Sequence, residues 1–226
     1  MDSVVDIFAN AQDGDVVRIN GWVQRKTKMK DQTFLKLRDG SGIIQVSVKR
    51  DDTTRELLAK ITTETSVMIR GSVVVDKRAP GGKEIHASTV DIIGDSIPLQ
   101  LNKDAGTHTL FENRHIVIRE SRLSNVIRLR SYMDEIMREY FRANDFIGVT
   151  PPTIIGQEVE GGSTLFGLKY HGEDAFMTQS SQLYLESVVP VFKNVYCIMP
   201  SYRQENSNTR RHLSEYTHVE AELGFI

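Results

Sequence analysis

The spacing of the apolar residues changes once along this chain, and this change constrains the fold more than any other feature. Over the first 94 residues, apolar and polar side chains alternate in short runs, as they do on strands with one buried face. From Ser124 onward they recur every three or four positions, which is the period of an amphipathic helix. The sequence therefore predicts a β domain followed by a domain that mixes helices and strands (β + α/β).

The alternating runs predict a small closed barrel. Glycine-containing pairs at 39–42 mark a tight turn between the second and third runs. Residues 52–61 predict a short helix capped by Asp52 or Thr53. One helix between the third and fourth of five strands is typical of the five-stranded Greek-key barrel of the oligonucleotide-binding (OB) type, and a five-stranded barrel of another kind is the alternative. The predicted strands are 15–26, 33–39, 43–49, 66–77 and 83–94.

We predict three parts along the chain: a barrel domain at 1–100, a linker at 101–123 and a second domain at 124–226. The linker region has scattered charge and little periodicity. The first helix of the second domain should end at "GVTPP" (148–152), because prolines disfavour further helix. Its apolar stripe comprises Val126, Leu129, Met133, Ile136, Met137, Tyr140 and Phe141.

Composition narrows the possible functions. The net charge of −2 means that any contact with nucleic acid must come from a local basic patch, such as "QRKTKMK" at 24–30. The single cysteine, Cys197, excludes an internal disulfide, and the sequence shows no metal-ligand spacing. No apolar run approaches the roughly 18 residues of a membrane span. We expect a cytoplasmic protein without a membrane segment.

A hairpin near the end of the sequence concentrates polar side chains. In "YRQENSNTRRHLSEYTHVEAE" (202–222), alternation places Arg203 and Glu205 on one face of the first strand. On the second strand, one face is polar (Tyr216, His218, Glu220, Glu222) and the other is more apolar (Thr217, Val219, Ala221, Leu223). A forked guanidinium on such a surface suits a phosphate. A solvated outer face of an edge hairpin would give the same spacing.

The hairpin resembles motif 2 of class II aminoacyl-tRNA synthetases, which has an Arg-x-Glu, a loop and an aromatic residue. "FIGVTPP" (146–152) is similar to motif 1 of that family, and "ENRHIVIR" (112–119) resembles the segment that joins its anticodon and catalytic domains. "EVEGGSTLF" (158–166) and "MTQSSQLYLES" (177–187) resemble the asparaginyl members. Several motifs thus occur in the family's order over nearly the whole chain. The resemblance implies that the second domain is part of the antiparallel-sheet catalytic domain of class II synthetases.

The resemblance implies an ATP site in the hairpin. Arg203 matches the arginine that holds the α-phosphate, and Glu205 matches the acid beside the adenylate and the terminal adenosine of tRNA, so both are candidate catalytic residues. His212 matches the residue near the γ-phosphate and Tyr216 the aromatic that stacks on adenine, and Arg211 is a further candidate ATP ligand. Mg²⁺ is implied with ATP, but the acids that hold it in the family have no match here.

The resemblance also implies which amino acid is bound. Aspartyl members carry Gln-x-x-Lys, whereas this sequence has Leu185 three residues after Gln182, followed by Glu186. A carboxylate accepts hydrogen bonds from an amide and repels a carboxylate, which favours asparagine over aspartate. A helix-surface acid is the alternative interpretation of Glu186. Glu160, before Gly161 and Gly162, matches a mobile loop that closes over the amino acid, although a simple turn would look the same.

In the barrel, the resemblance implies anticodon contacts. Phe34 matches the aromatic that stacks on a base, and Gln45 and Glu84 match residues that hydrogen-bond to anticodon bases. As a lone phenylalanine, Phe34 could instead belong to the core. Trp22 is predicted to lie in the core, because large aromatic side chains are mostly buried.

The implied activity is ligation of asparagine to tRNA through an ATP-derived adenylate, by a homodimer that forms through motif 1. Nothing after Glu222 resembles motif 3, which carries a second ATP-binding arginine. We therefore expect the chain to cover the front part of such an enzyme and to be inactive alone. A non-catalytic tRNA-binding module and an aspartyl enzyme are the alternative interpretations.

Overall fold

A computed structural model describes residues 1–97, 105–156, 165–204, 209 and 212–226. Three residues with predicted roles, Glu160, Glu205 and Arg211, lie outside these ranges. The chain divides into two compact units, Met1–Ala105 and Gly106–Ile226.

The first unit is a closed five-stranded barrel, as the alternation predicts. Its strands follow one another in the order β1-β2-β3-β5-β4, in which only β3 and β5 pair in parallel. The elements are α1 (Val4–Asn10), β1 (Val16–Lys28), β2 (Gln32–Arg38), β3 (Ile43–Lys49), α2 (Asp52–Lys60), β4 (Ser66–Val75), a 3-10 turn (Pro80–Gly82) and β5 (Lys83–Gly94).

Branched aliphatic side chains fill the barrel, since every second residue of each strand points inward. Full burial of each such side chain contributes about 1.5–3 kcal/mol. The largest of them, all at most 1% exposed, are Ile19, Leu35, Leu37, Ile44, Ile69 and Ile85.

Trp22 is not in this core, so that prediction is wrong. Its neighbours Gly21 and Val23 face inward, and strand alternation therefore turns Trp22 outward. It is 47% exposed, with the Arg38 guanidinium 6.0 Å from the centre of its ring. The strand period outweighs the general preference of tryptophan for the interior.

Two lysines hold the two helices against the barrel. The ammonium of Lys83 donates to the carbonyls of Ile7, Phe8 and Ala11 at 3.2, 2.8 and 2.7 Å, which end α1. The ammonium of Lys26 donates to two carbonyls at the end of α2. Such groups satisfy carbonyls that have no partner within the helix.

This role takes Lys26 out of the basic patch predicted at 24–30, because its ammonium already has two carbonyl partners. Burial, together with the neighbouring Lys28, lowers the pKa of Lys26. The start of α2 also differs by one residue from the prediction. Asp51, rather than Asp52 or Thr53, caps it by accepting from the backbone N–H groups of Thr53 and Thr54.

The second unit contains helices and two small sheets. Its elements are α3 (Thr107–Glu112), α4 (Arg114–Val117), α5 (Ser121–Ala143), β6 (Ile147–Gly148), β7 (Ile154–Ile155), β8 (Gly167–Tyr170), β9 (Glu173–Met177), α6 (Gln182–Phe192), β10 (Asn194–Tyr202) and β11 (Glu215–Leu223). One sheet has the order β11-β10-β6 and the other β7-β9-β8. Within the range predicted as linker, α3 and α4 are helical. A β barrel followed by mixed helices and sheets confirms the predicted fold class.

Helix α6 packs on one face of the β10–β11 hairpin. Leu185 is fully buried there, in a cluster with Val195, Cys197 and Met199 of β10. By contrast, the 23-residue helix α5 has no buried residue along its described length, although the ring of Phe141 near its end stacks on Tyr196 at 4.3 Å between centres.

Candidate functional site

Three strands of the barrel bring together the residues with predicted anticodon contacts. Phe34 on β2, Gln45 on β3 and Glu84 on β5 line one cavity of about 510 Å³. The other lining residues are Gln32, Val74, Asp76, Arg78, Ala79 and His86. Phe34 and Glu84, which are 50 positions apart in sequence, thus meet at one surface, where an aromatic ring lies beside polar side chains.

Phe34 lies at this cavity and not in the barrel core. Its strand neighbours Thr33 and Leu35 are buried inside the barrel at 1% and 0% exposure, so Phe34 must point outward. Its side chain is half-buried. This leaves ring surface on which a planar group can stack.

The polar side of the cavity is a hydrogen-bonded cluster around Glu84, which is 7% exposed. The Gln45 amide donates to Oε2 of Glu84 at 2.7 Å. Nε2 of His86 donates to Oε1 at 2.8 Å. Gln45 and Glu84 are direct partners in the parallel β3–β5 pair, which explains why they meet. The sequence analysis missed His86, although its position two residues after Glu84 puts it on the same strand face.

An ion pair also borders the cavity. Arg78 donates to both carboxylate oxygens of Asp76, at 2.8–3.2 Å, and these hydrogen bonds hold the pKa of Asp76 at about 2. The Arg78 side chain is 90% exposed. It supplies positive charge next to the cavity from the segment between β4 and β5.

A second candidate site lies on the hairpin of the second unit. Arg203 directly follows β10, and its backbone N–H donates to the carbonyl of Ser214 at 3.0 Å. Its guanidinium lies 5.9 Å from the centre of the Tyr216 ring. Nδ1 of His212 shares a 2.5 Å hydrogen bond with the hydroxyl of Thr209. The hairpin therefore brings Arg203 and Tyr216, two of the predicted ATP ligands, into contact distance.

The polar face of β11 is the more buried one, contrary to the usual arrangement. Tyr216, His218, Glu220 and Glu222 are half-buried, whereas the apolar-rich alternate positions from Thr217 to Leu223 are exposed. The two faces contain the residues that the sequence predicts. The polar face points toward α6, so it is not the solvated outer face of an edge hairpin.

Glu220 is the centre of this polar face. It accepts from the hydroxyl of Ser180 at 2.5 Å and from the backbone N–H of Ser181 at 2.6 Å, at the start of α6. Nδ1 of His218 lies 3.6 Å away. A buried carboxylate needs such donors, because desolvation without them is costly. No local pattern in the sequence indicates this contact, since it joins residues 40 positions apart.

The Cys197 thiol lies 3.7 Å from the Glu220 carboxylate. Burial, together with the negative charge of Glu220, raises the pKa of Cys197. The thiol therefore stays protonated and unreactive while the hairpin is folded.

The residues that the sequence assigns to amino-acid selection divide between two environments on α6. The Gln182 amide donates to the Glu186 carboxylate at 2.8 Å on the exposed face. Leu185 is fully buried under the sheet. The helix surface therefore presents an oriented carboxylate, with no cationic side chain at position 185.

The described residues contain no group of three or more His, Cys, Asp or Glu side chains that could hold a metal ion. None of their helices is long and apolar enough to cross a membrane.

Comparisons with known proteins cover both units. Residues 106–226 match the family model for class II tRNA synthetases (D, K and N). Residues 17–93 match that for the OB-fold nucleic acid binding domain.

Two curated relatives are asparagine–tRNA ligases. The cytoplasmic ligase of Debaryomyces hansenii is 39% identical over 222 residues, which are 94% of this chain and 40% of the relative. The ligase of Thermoplasma acidophilum is 35% identical over 227 residues, 99% of this chain and 53% of the relative. The chain thus spans about half or less of the length of these relatives.

Among solved structures, asparaginyl-tRNA synthetase from Pyrococcus horikoshii complexed with asparaginyl-adenylate is similar, with a TM-score of 0.88 and 35% identity. The match covers 95% of this chain and 51% of that structure.

The Glu220 contacts make a testable contribution to stability. We expect Glu220→Gln to lower the free energy of unfolding of the second unit by about 1–3 kcal/mol, because a charged acceptor of two hydrogen bonds is lost. Labelling of Cys197, the only cysteine in the sequence, during a urea titration measures this locally. Glu222→Gln is the control, since it removes the same charge from the same face without touching these two bonds. Equal labelling midpoints in the two variants would contradict the expectation.

Proposed function

The chain belongs to the class II tRNA synthetases of the D, K and N group, and we propose that the gene product ligates asparagine to its tRNA. In the first step, a carboxylate oxygen of asparagine attacks the α-phosphorus of ATP, and pyrophosphate leaves. In the second, a ribose hydroxyl at the end of the tRNA attacks the carbonyl carbon of the adenylate, and AMP leaves. The barrel would bind the anticodon.

The observation that carries this proposal is that the exposed Arg203 guanidinium lies 5.9 Å from the centre of the Tyr216 ring. Tyr216 shares the half-buried face of β11 with Glu220, which accepts a hydrogen bond from the start of α6. An arginine fixed there stabilises the negative charge that builds at the α-phosphate. The Tyr216 ring offers a surface for adenine. The names of both curated relatives and the adenylate in the Pyrococcus structure support asparagine as the substrate.

Three further residues have proposed roles. Glu205 and Arg211 would contact ATP and the adenylate, and Glu160 would contact the amino acid.

Mg²⁺, when bound with ATP, neutralises phosphate charge. We assign it no ligand among the described residues, which lack a suitable cluster. We also propose a cytoplasmic location, as for the Debaryomyces relative.

Exchange of pyrophosphate into ATP by the complete gene product tests the proposal. We expect exchange with asparagine and much less with aspartate or lysine. Exchange that depends on aspartate would identify an aspartyl enzyme. Binding of tRNA without exchange for any of the three would favour a non-catalytic tRNA-binding protein.

We propose that Glu186 recognises the side-chain amide of asparagine. Gln182 holds one of its carboxylate oxygens, and the other can accept from the substrate N–H₂. The same negative charge would repel aspartate, and the buried Leu185 cannot offset it.

Replacement of Glu186 by Gln should weaken asparagine activation by about tenfold to a hundredfold, since a hydrogen bond to a charged group contributes about 1.5–3 kcal/mol. Rejection of aspartate should relax, because the repelling charge is gone. The measurement is pyrophosphate exchange with each amino acid. Glu56→Gln, at an exposed acid of the barrel unit, is the control. An unchanged asparagine-to-aspartate ratio would show that the amide is read elsewhere.

Phe34→Ala should weaken tRNA binding by about 1–3 kcal/mol, the usual contribution of one ring stacked on a base. The measurement is a fluorescence titration of tRNA with the full chain, at one stated salt concentration. Phe111→Ala, at a phenylalanine that is 66% exposed and outside the barrel, should leave the affinity unchanged. If Phe34→Ala has the affinity of the wild type and the same thermal stability, its ring does not contact the tRNA.

We further propose that the gene product is a homodimer through α5. Its exposed apolar residues form a stripe along the helix, and Leu129, Met133, Ile136 and Tyr140 are 51–64% exposed. A second copy related by a two-fold axis would bury the same stripe on both helices. Exposed apolar surface of this extent marks an interaction site.

Ile136→Asp should raise the dissociation constant of the dimer by about tenfold or more, because each substitution acts twice at a two-fold interface and places unpaired charges there. Sedimentation of the complete gene product over a concentration series measures this. Ser131→Asp, on the opposite side of α5, should leave the dimer intact. Monomer at tens of micromolar in the wild type would contradict the proposed dimer.

A further inference from the structure

His86 is the one member of the Glu84 cluster that has no assigned role. It lies two residues after Glu84 on β5, and its side chain is 47% exposed, so it is not part of the barrel core. Its pairing partners on the flanking strands are Ser47 and Ser72. The charged groups nearby are Glu84, Asp76 and Arg78, which line the same cavity.

The hydrogen bonds show what His86 does to Glu84. A carboxylate oxygen only accepts, so Nε2 of His86 carries the proton that is donated at 2.8 Å. Gln45 donates to the other oxygen at 2.7 Å. With one donor on each oxygen, the carboxylate cannot rotate without losing a bond. Both oxygens of Asp76 accept from Arg78.

The fixed carboxylate in turn fixes the amide of Gln45. Its N–H₂ group must face Glu84, since a flipped amide would place its carbonyl oxygen against the carboxylate. The Gln45 carbonyl is therefore directed away from Glu84 in one orientation, as an acceptor. A carbonyl acceptor held in one orientation distinguishes a base that offers N–H there from a base that does not.

We propose that His86 is a positioning residue for base recognition, which acts through Glu84 on the Gln45 amide. This inference rests on the proposed function, because it assumes that the cavity receives an anticodon base. His86 itself does not contact the base. It sets the direction of the groups that do.

The test compares His86→Ala with His86→Gln in the full chain, since a glutamine amide can still donate to Glu84. The probes are anticodon stem-loop RNAs with GUU and with single replacements at each position. Selectivity is the dissociation constant of a replaced loop divided by that of the best loop. In His86→Ala this selectivity should fall by about tenfold, the effect of one lost charged hydrogen bond. Binding of the replaced loops should change little. His86→Gln should restore most of the ratio.

A second readout needs no RNA. The side-chain amide signals of Gln45 in a ¹⁵N–¹H spectrum should show slowed hydrogen exchange in the wild type and in His86→Gln, and fast exchange in His86→Ala. The exchange rate of this amide should differ between the variants only if His86 fixes the orientation of Gln45. The measurement remains informative if the wild type prefers no RNA loop.

The outcomes separate the inference from the function on which it rests. If the wild type binds all loops equally, the proposed anticodon recognition is contradicted. The hydrogen exchange of the Gln45 amide then tests alone whether His86 positions that amide. A wild type that discriminates, with an equal ratio in His86→Ala, overturns the inference alone. Uniform weakening for every loop also overturns it, because that result indicates a phosphate contact. Thermal unfolding of both variants is the check on folding.

Discussion

The parallel pairing of β3 with β5 is the contact on which the barrel and its cavity depend. It joins strands separated by α2 and β4, and without it the sheet would have two open edges. The same pairing sets Gln45 directly opposite Glu84. The contact that closes the fold is therefore also the contact that builds the polar side of the cavity. A shift of β5 by one residue against β3 would turn Glu84 toward the core and would lose the site together with the fold.

The close approach of β4 to β5 supports that register. Gly71 pairs with Ala87 next to an irregularity in the ladder, and a Cβ at this position would come within 2.2 Å of the carbonyl oxygen of His86. Only glycine permits this contact. The backbone that carries His86 is thus held by packing from β4, while its side chain is held by Glu84 from within its own strand.

In the second unit, an electrostatic requirement acts together with the apolar packing of α6 on the hairpin. Glu220 faces inward, and its carboxylate needs donors, which the hydroxyl of Ser180 and the backbone of Ser181 supply. This requirement ties the start of α6 to the middle of β11. Arg203 and Tyr216 lie on the same side of the hairpin as Glu220, so the contact that stabilises α6 also fixes the wall of the proposed ATP site.

The sequence by itself determined where the five barrel strands lie along the chain and which residues share each face of the hairpin, because periods of two and 3.6 residues are local properties that packing preserves. It also indicated Phe34, Gln45, Glu84, Arg203 and Tyr216 through a family resemblance. It failed for Trp22, where the expected burial of a residue type conflicted with strand alternation.

Only the tertiary structure decided which face of β11 is buried, that Lys26 caps a helix, and that His86 and Ser180 each hold a carboxylate. These outcomes depend on groups that meet from distant segments. The free energy of a buried charge depends on those partners, and no local pattern specifies them.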